Sequence, residues 1–429
     1  MNTLKITYKA EDIFRPTSFP EYTYINRTFA NGSTYEAKLK KALHSSGRLI
    51  SITGASKTGK TVLCHKVIEQ DKIIDLSGAQ IQTQEDFWEQ IAERIHLPIE
   101  TQTTTINQSK LNINTSIGGK GKIPFIATAQ LNGQVGADNT IGKNVAIKEI
   151  RSNTAILKYI IDNSKVLVID DFHYINDELQ LYIARILKTA LFNGLKAILL
   201  SLPHRADDAI RHNPDLIGRT TFIEIEAWKV EELQEIADKG FHLLNLSIDE
   251  NYLYLLARES ITSPQLMQQN CFNLAYYMEE HNIHSVSETL VKECFKETVA
   301  DYTHYDEILS QVLKGPSQGR NRRKHYLLKS NKEVDIYFLL FIAISEDPPV
   351  LSFSIESIKY RFEQLLATSE KSPRPLSIAN AVTNMEKIIR AIVPKLDTVE
   401  WKNQQLYILD PFLLFYLRWS ITWKSCIRS

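Results

Sequence analysis

The chain has 429 residues, 43% hydrophobic and 23% charged, and its 50 basic residues balance 50 acidic ones. That length accommodates roughly two to four domains, and the zero net charge excludes a chain that coats nucleic acid with its whole surface, though not one with a local basic patch. The four cysteines, Cys64, Cys271, Cys294 and Cys426, are scattered without a C-x-x-C pair, which argues against a zinc site or a disulfide framework.

Residues 1–47 read as a lead-in, extended around Pro16 and Pro20 and helical over 36–43. Residues 48–53 (RLISIT) form an apolar run that predicts a buried strand, followed by a Gly-rich turn and a helix over 62–69. A second strand is expected at 72–76 (KIIDL), then an amphipathic helix over 85–95 carrying Phe87, Trp88, Ile91 and Ile95. Residues 101–143 are rich in Thr, Asn, Gln and Gly, with alternation that suggests a β-rich insertion; a plain loop is the alternative. Helical periodicity returns at 146–162, followed by a strand at 166–169 (VLVI), a helix at 178–191, and strands at 197–200 and 221–225. Strands alternating with helices predict an α/β core over 48–228, with a parallel sheet covered on both faces. A helical unit follows at 229–314, then a basic linker at 315–332 and a final unit at 333–429. No apolar stretch is long enough to span a bilayer, and the amino terminus lacks the apolar run of a signal peptide. The expectation is a cytoplasmic protein with no membrane partner.

The chemistry concentrates in Gly54-Ala55-Ser56-Lys57-Thr58-Gly59-Lys60-Thr61, which fits G-x-x-x-x-G-K-[ST] and runs into Val62 and the helix. Phosphates need several backbone N–H groups converging on them, glycines permit that bend, and the helix adds its positive end. Lys60 is expected to reach the β- and γ-phosphates of ATP, and the Thr61 hydroxyl to bind Mg²⁺. Asp170 and Asp171 directly follow the strand at 166–169. An acid at the carboxyl end of a neighbouring parallel strand lies beside the phosphate loop, which suits Asp170 to the metal and Asp171 to polarising the attacking water.

The phosphate loop, the strand with its acid pair (VLVIDDFHYI) and the later helices resemble AAA+ or STAND-type P-loop ATPases. That superfamily includes origin-recognition-like loaders, transposition regulators and signalling switches of immunity. The resemblance implies a P-loop core with an α-helical lid, and it assigns further roles. Ile25 and Arg27, in Tyr24-Ile25-Asn26-Arg27, would cover the adenine, and Ser201 would sense the γ-phosphate. Arg219 would be the arginine finger for a neighbouring subunit, with Arg205 and Arg211 in reserve. Pro264, in Ser263-Pro264-Gln265-Leu266, would pack on the adenine as in STAND proteins; Gln265 stands where AAA+ proteins often carry a sensing arginine, and Arg258 lies nearby.

The final unit reads as helices at 334–344, 355–366 and 378–393, a β-hairpin at 399–409, and an aromatic helix after Asp410-Pro411-Phe412. That is the order of a winged helix, a fold that reads DNA or serves as a packing module. Asn380, Thr383, Asn384, Lys387 and Arg390 on its third helix, with Arg320, Arg322, Arg323 and Lys324 in the linker, would supply a DNA face. Two functions are therefore expected. One is an ATP-hydrolysing regulatory switch that forms a homo-oligomer or engages a separate effector, in the setting of prokaryotic antiphage defence that the resemblance implies. The other is a DNA-binding loader or transposition regulator. An inactive scaffold that only binds ATP is the third.

Overall fold

A computed structural model describes residues 8–96, 153–202, 216, 218–316, 323–393 and 398–426. The expected insertion at 101–143, the reserve arginines Arg205 and Arg211, and Arg320 and Arg322 of the linker lie outside the described residues.

The core is a five-stranded sheet of β1 (Leu49–Gly54), β2 (Ile73–Ser77), β3 (Val166–Asp170), β4 (Lys196–Ser201) and β5 (Thr220–Ile225). Its order is β2-β3-β4-β1-β5, and every pairing is parallel. Alternate residues of a strand face opposite sides of a sheet, so a strand covered on both faces must be apolar throughout. Leu49, Leu167 and Ile169 enter one core with Phe87, Ile91, Ile156 and Ile183. Those partners come from α4 (Gln84–Arg94), α5 (Asn153–Asp162) and α6 (Asp177–Phe192). Ile50, Ile52, Val166 and Val168 enter the other core with Leu39 of α2 (Tyr35–His44) and Leu63 of α3 (Lys60–Val67).

One expectation is corrected here. The strand carrying the acid pair is not the direct neighbour of the phosphate-loop strand, because β4 lies between β3 and β1. The acids therefore reach the loop across the end of β4.

Beyond the sheet run α7 (Val230–Leu243), α8 (Glu250–Glu259), α9 (Pro264–Glu280), α10 (Glu288–Ala300) and α11 (His304–Lys314). Ser263 caps α9 by accepting from the Leu266 N–H, and Pro264 takes the first helical position, where its missing N–H costs nothing. A short pair, β6 (His325–Leu327) and β7 (Glu333–Asp335), leads into α12 (Ile336–Ser345). The order then continues through β8 (Ser352–Ser354), α13 (Ile355–Leu365), α14 (Pro375–Ile392), β9 (Val399–Lys402), β10 (Gln405–Ile408) and α15 (Pro411–Trp419). Strand β8, which the sequence does not announce, pairs with β10 beside the hairpin.

One continuous apolar core serves both helical regions, from Leu233 and Phe295 to Phe341, Leu406 and Phe415. Glu259 of α8, wholly buried, accepts from Arg418 Nε at 2.9 Å, Arg418 Nη2 at 2.8 Å and Trp419 Nε1 at 2.9 Å. The lead-in is divided between bodies: Ala10, Ile13 and Phe14 join this helical core, whereas α2 packs on the sheet. The linker holds β6, and two of its cations have internal partners. Arg323 pairs with Asp335 at 2.5 Å and Lys324 with Glu370 at 2.8 Å. Among the described residues no helix is long and apolar enough to cross a membrane.

Candidate functional site

Strand β1 ends at Gly54 and α3 opens at Lys60, so residues 55–59 turn the chain within five positions. The bend needs left-handed backbone: Gly59 caps α3 at φ +93°, and Lys57 sits at φ +61°. The first N–H groups of α3 have no partner within the helix and point out of its positive end, the arrangement that receives anions. Lys60 folds back over the turn, donating to the carbonyls of Gly54 at 2.9 Å and Ala55 at 2.8 Å. Burial lowers the pKa of its ammonium, and the nearby carboxylates of Asp170 and Asp171 act in the opposite sense.

The acid pair meets this turn directly. The Thr61 hydroxyl donates to Asp170 Oδ2 at 2.5 Å, and the Asp171 N–H donates to Asp170 Oδ1 at 2.8 Å. Asp171 has left-handed backbone at φ 52°. Gly78, just past β2, permits this placement, since a Cβ there would fall 2.5 Å from the Asp171 carbonyl oxygen and 2.8 Å from that of Asp170. Ser201 ends β4 in register with Thr53, and its hydroxyl is buried without a hydrogen-bond partner.

A cleft of about 660 Å³ opens over these groups, within the range typical of small-molecule sites. Residues 56–62 line its floor with Asp170 and Asp171, and Ile25, Arg27 and Pro264 also line the cleft. Gly54 and Ala55 sit behind the floor as acceptors for Lys60. Among the described residues no group of three or more His, Cys, Asp or Glu is placed to hold a metal ion. The Thr61 hydroxyl and Asp170 carboxylate are hard oxygen donors too few for a protein-only cage, which fits Mg²⁺ completed by phosphate oxygens and water.

The remaining expected residues occupy several settings. Arg27 is not free to reach a base. Its guanidinium donates to Glu232 at 3.0 Å and to the carbonyls of Glu226 and Ala227 at 3.1 Å, and it lies 4.5 Å over the Trp228 ring. It fastens the lead-in to the joint between β5 and α7, and a desolvated cation on an aromatic face adds roughly 0.5–2 kcal/mol. Arg258 turns to Glu259, at 2.8 Å, and is not part of the cleft wall. Arg219 is exposed, and its carbonyl accepts from Leu49 N at the opening of β1. It stands on the edge of the sheet opposite the phosphate loop, a strand length of roughly 17 Å away. Pro264 lines the cleft, whereas Ser201 ends β4 next to the lining residue Leu202.

Three partners of the loop, Trp228, Asp410 and Phe412, escape sequence reasoning. Trp228 donates its indole N–H to the Thr58 carbonyl at 2.9 Å. Lys57 lies 4.0 Å from Asp410 Oδ1 and 4.0 Å from the centre of the Phe412 ring. A tryptophan beside the fifth strand is the one local signal for the first contact; the second has none, since its partners are more than 350 positions apart.

A phosphate loop between β1 and α3, facing an acid pair across an all-parallel five-stranded sheet, defines the P-loop nucleoside-triphosphatase fold. No protein-family model matches the chain, and no curated protein matches its sequence. Among solved structures it is similar to Cdc6p from Pyrobaculum aerophilum, at 11% identity and a TM-score of 0.44, over 97% of this chain and 99% of that one. A Walker-type ATPase of Pyrococcus abyssi gives 14% identity and a TM-score of 0.49 over 97% and 99%. The ADP form of the Aeropyrum pernix ORC2 protein gives 16% and 0.46 over 94% of each. At such identities the likeness concerns the fold alone.

Proposed function

We propose that this chain binds ATP with Mg²⁺ at residues 54–62 and hydrolyses it slowly, as a regulatory switch of the AAA+/STAND kind. The observation that carries this is the convergence of Lys60, Thr61 and Asp170 on the floor of one nucleotide-sized cleft. In this account the amides opening α3 hold the phosphates, and Lys60 leaves the Gly54 and Ala55 carbonyls to meet the β- and γ-oxygens. Thr61 and Asp170 hold the cation, which when bound neutralises charge on the phosphates. Asp171 orients the attacking water and draws its proton, and Ser201 fixes the γ-phosphate or that water. Ile25 and Pro264 pack on the base. Arg27 supports this wall without touching the ligand.

The proposed units are a core at 48–228, a lid at 229–314, a linker at 315–332 and a winged helix at 333–429. The helix–strand–helix–helix–hairpin order from α12 to β10 supports the last of these. Its use as a packing module is favoured by contacts that part of the expected DNA face makes within the protein. Thr383 bonds its own helix, Asn384 bonds Tyr337, and Arg390 pairs with Glu386. Helix α14 also packs against α11. DNA loading is the second reading, left with exposed Asn380, Lys387 and Arg390; salt-dependent retention of duplex DNA is its test. The output of the switch lies in a homo-oligomer or a separate effector, with antiphage defence as the setting.

The decisive experiment is calorimetric titration of Lys60→Ala with Mg-ATP. Loss of two charge-assisted phosphate contacts should weaken binding by on the order of 100-fold or more. Retained tight binding would overturn the site.

A further inference from the structure

Resting on the nucleotide site proposed above, we infer that Lys57 couples phosphate charge in the cleft to the carboxyl-terminal domain, by leaving Asp410 and Phe412 when a triphosphate occupies the loop.

The geometry is that of a severable contact. Lys57 lies on the phosphate-binding turn and lines the cleft, yet its ammonium stands 4.0 Å from Asp410 Oδ1 and 4.0 Å over the Phe412 ring. Its side chain is one-third exposed, so it retains a path back to the cleft. A non-glycine residue at φ +61° is disfavoured. The turn thus holds a long cation where glycine would sit more easily.

Asp410 does not depend on Lys57. Its Oδ2 accepts from the Tyr305 hydroxyl at 2.5 Å, and its Oδ1 accepts from the Phe412 N–H at 3.1 Å, capping α15. Tyr302 packs edge-on against Phe412, with ring centres 4.8 Å apart. When the ammonium departs, Asp410 keeps these two hydrogen bonds, while Phe412 loses the cation over its ring and α15 loses its tie to the loop. By contrast, Lys57 exchanges one capped carboxylate and one ring for a polyanion placed at its own backbone. Opposite charge at short range favours the polyanion, and more so for three phosphates than for two.

The consequence spreads beyond α15. Phe412 and Phe415 belong to the same apolar core as the lid helices, and the buried Glu259–Arg418 pair ties α8 to α15. A contact from the loop to Asp410 and Phe412 therefore holds the lid and carboxyl-terminal domain as one body against the sheet. Release of Lys57 loosens that body when ATP is bound, and return of Lys57 fastens it when ADP remains.

Hydrogen exchange of the peptide covering 411–419 tests this, with wild type and Lys57→Met each measured alone, with Mg-ADP and with a non-hydrolysable Mg-ATP analogue. Binding of both nucleotides is verified by calorimetry. In wild type the ATP analogue should speed exchange of this peptide by about threefold or more over ADP. Lys57→Met should exchange at the faster rate throughout, with no difference between nucleotides. Equal exchange in wild type with both nucleotides bound overturns the coupling while leaving the site intact, as does a Lys57→Met variant that responds like wild type. Phe412→Leu, which keeps the core apolar but removes the ring, should reproduce the Lys57→Met pattern; a wild-type response there also counts against the coupling. Failure of wild type to bind either nucleotide removes both the site and the inference.

Discussion

Asp171 shows how backbone conformation and chemistry meet at one residue. Its left-handed φ of 52° follows from the close approach of the β3 end to Gly78, where no side chain would fit. Asparagine tolerates that backbone region as well as aspartate does, and it preserves size. Asp171→Asn should therefore fold normally and bind Mg-ATP with unchanged affinity while losing the group that draws a proton from water. Turnover should fall by roughly 10²- to 10⁴-fold, the range for removal of a positioned base. A steady-state phosphate-release assay beside calorimetry measures both quantities, and an unaltered rate would transfer the role to another group. Ser201 differs in kind. Its hydroxyl is buried without a hydrogen-bond partner, and its backbone pairs in register with Thr53.

Between elements, the most demanding junction is that of α8 with α15. Glu259 is fully buried among Arg258, Arg418 and Trp419, and Arg418 also reaches the Ser345 carbonyl and Asp347. Burial opposes the charge on Arg418, but Glu259 and Asp347 outweigh it and raise its pKa. Glu259→Gln would leave that guanidinium without its buried counter-charge and set an amide against N–H donors. The expected loss is about 3–5 kcal/mol in urea unfolding, the usual cost of breaking a buried pair from one side. A loss under about 1 kcal/mol would mean that the junction is held by the apolar core alone. Such junctions also explain what the sequence reveals and what it hides. Strand β1, the turn and α3 are contiguous, so their pattern is visible in eight residues. The five strands are visible because burial on both faces demands apolar runs. The position of β4 between β1 and β3 is hidden, because strand order is a property of crossovers and not of any run. The engagement of Arg27 with residues 226, 227 and 232, and of Glu259 with Arg418, is hidden for the same reason, since partners about 160 to 205 positions apart leave no local spacing.

At the scale of the whole molecule, the placement of Arg219 separates a self-contained site from a shared one. It lies on the edge of the sheet remote from Lys60, and its exposed side chain cannot serve the cleft of its own chain without dismantling β5. If it stabilises charge on a transferring phosphoryl group, it does so for a second copy of the chain. A guanidinium in that role contributes on the order of 10³-fold or more to turnover. Arg219→Ala should then bind Mg-ATP normally and hydrolyse it poorly, whereas Lys60→Ala should fail at binding. Each variant keeps the half that the other lacks. Mixing them in equal amounts should create interfaces in which an intact phosphate loop meets an intact Arg219, and ATP hydrolysis should rise well above the sum of the two alone. The wild-type rate per chain should also climb with protein concentration as copies associate. Phosphate release from the mixture across a concentration series measures both effects. Purely additive rates, together with a wild-type rate independent of concentration, would mean that each chain completes its own site and that Arg219 serves only the surface.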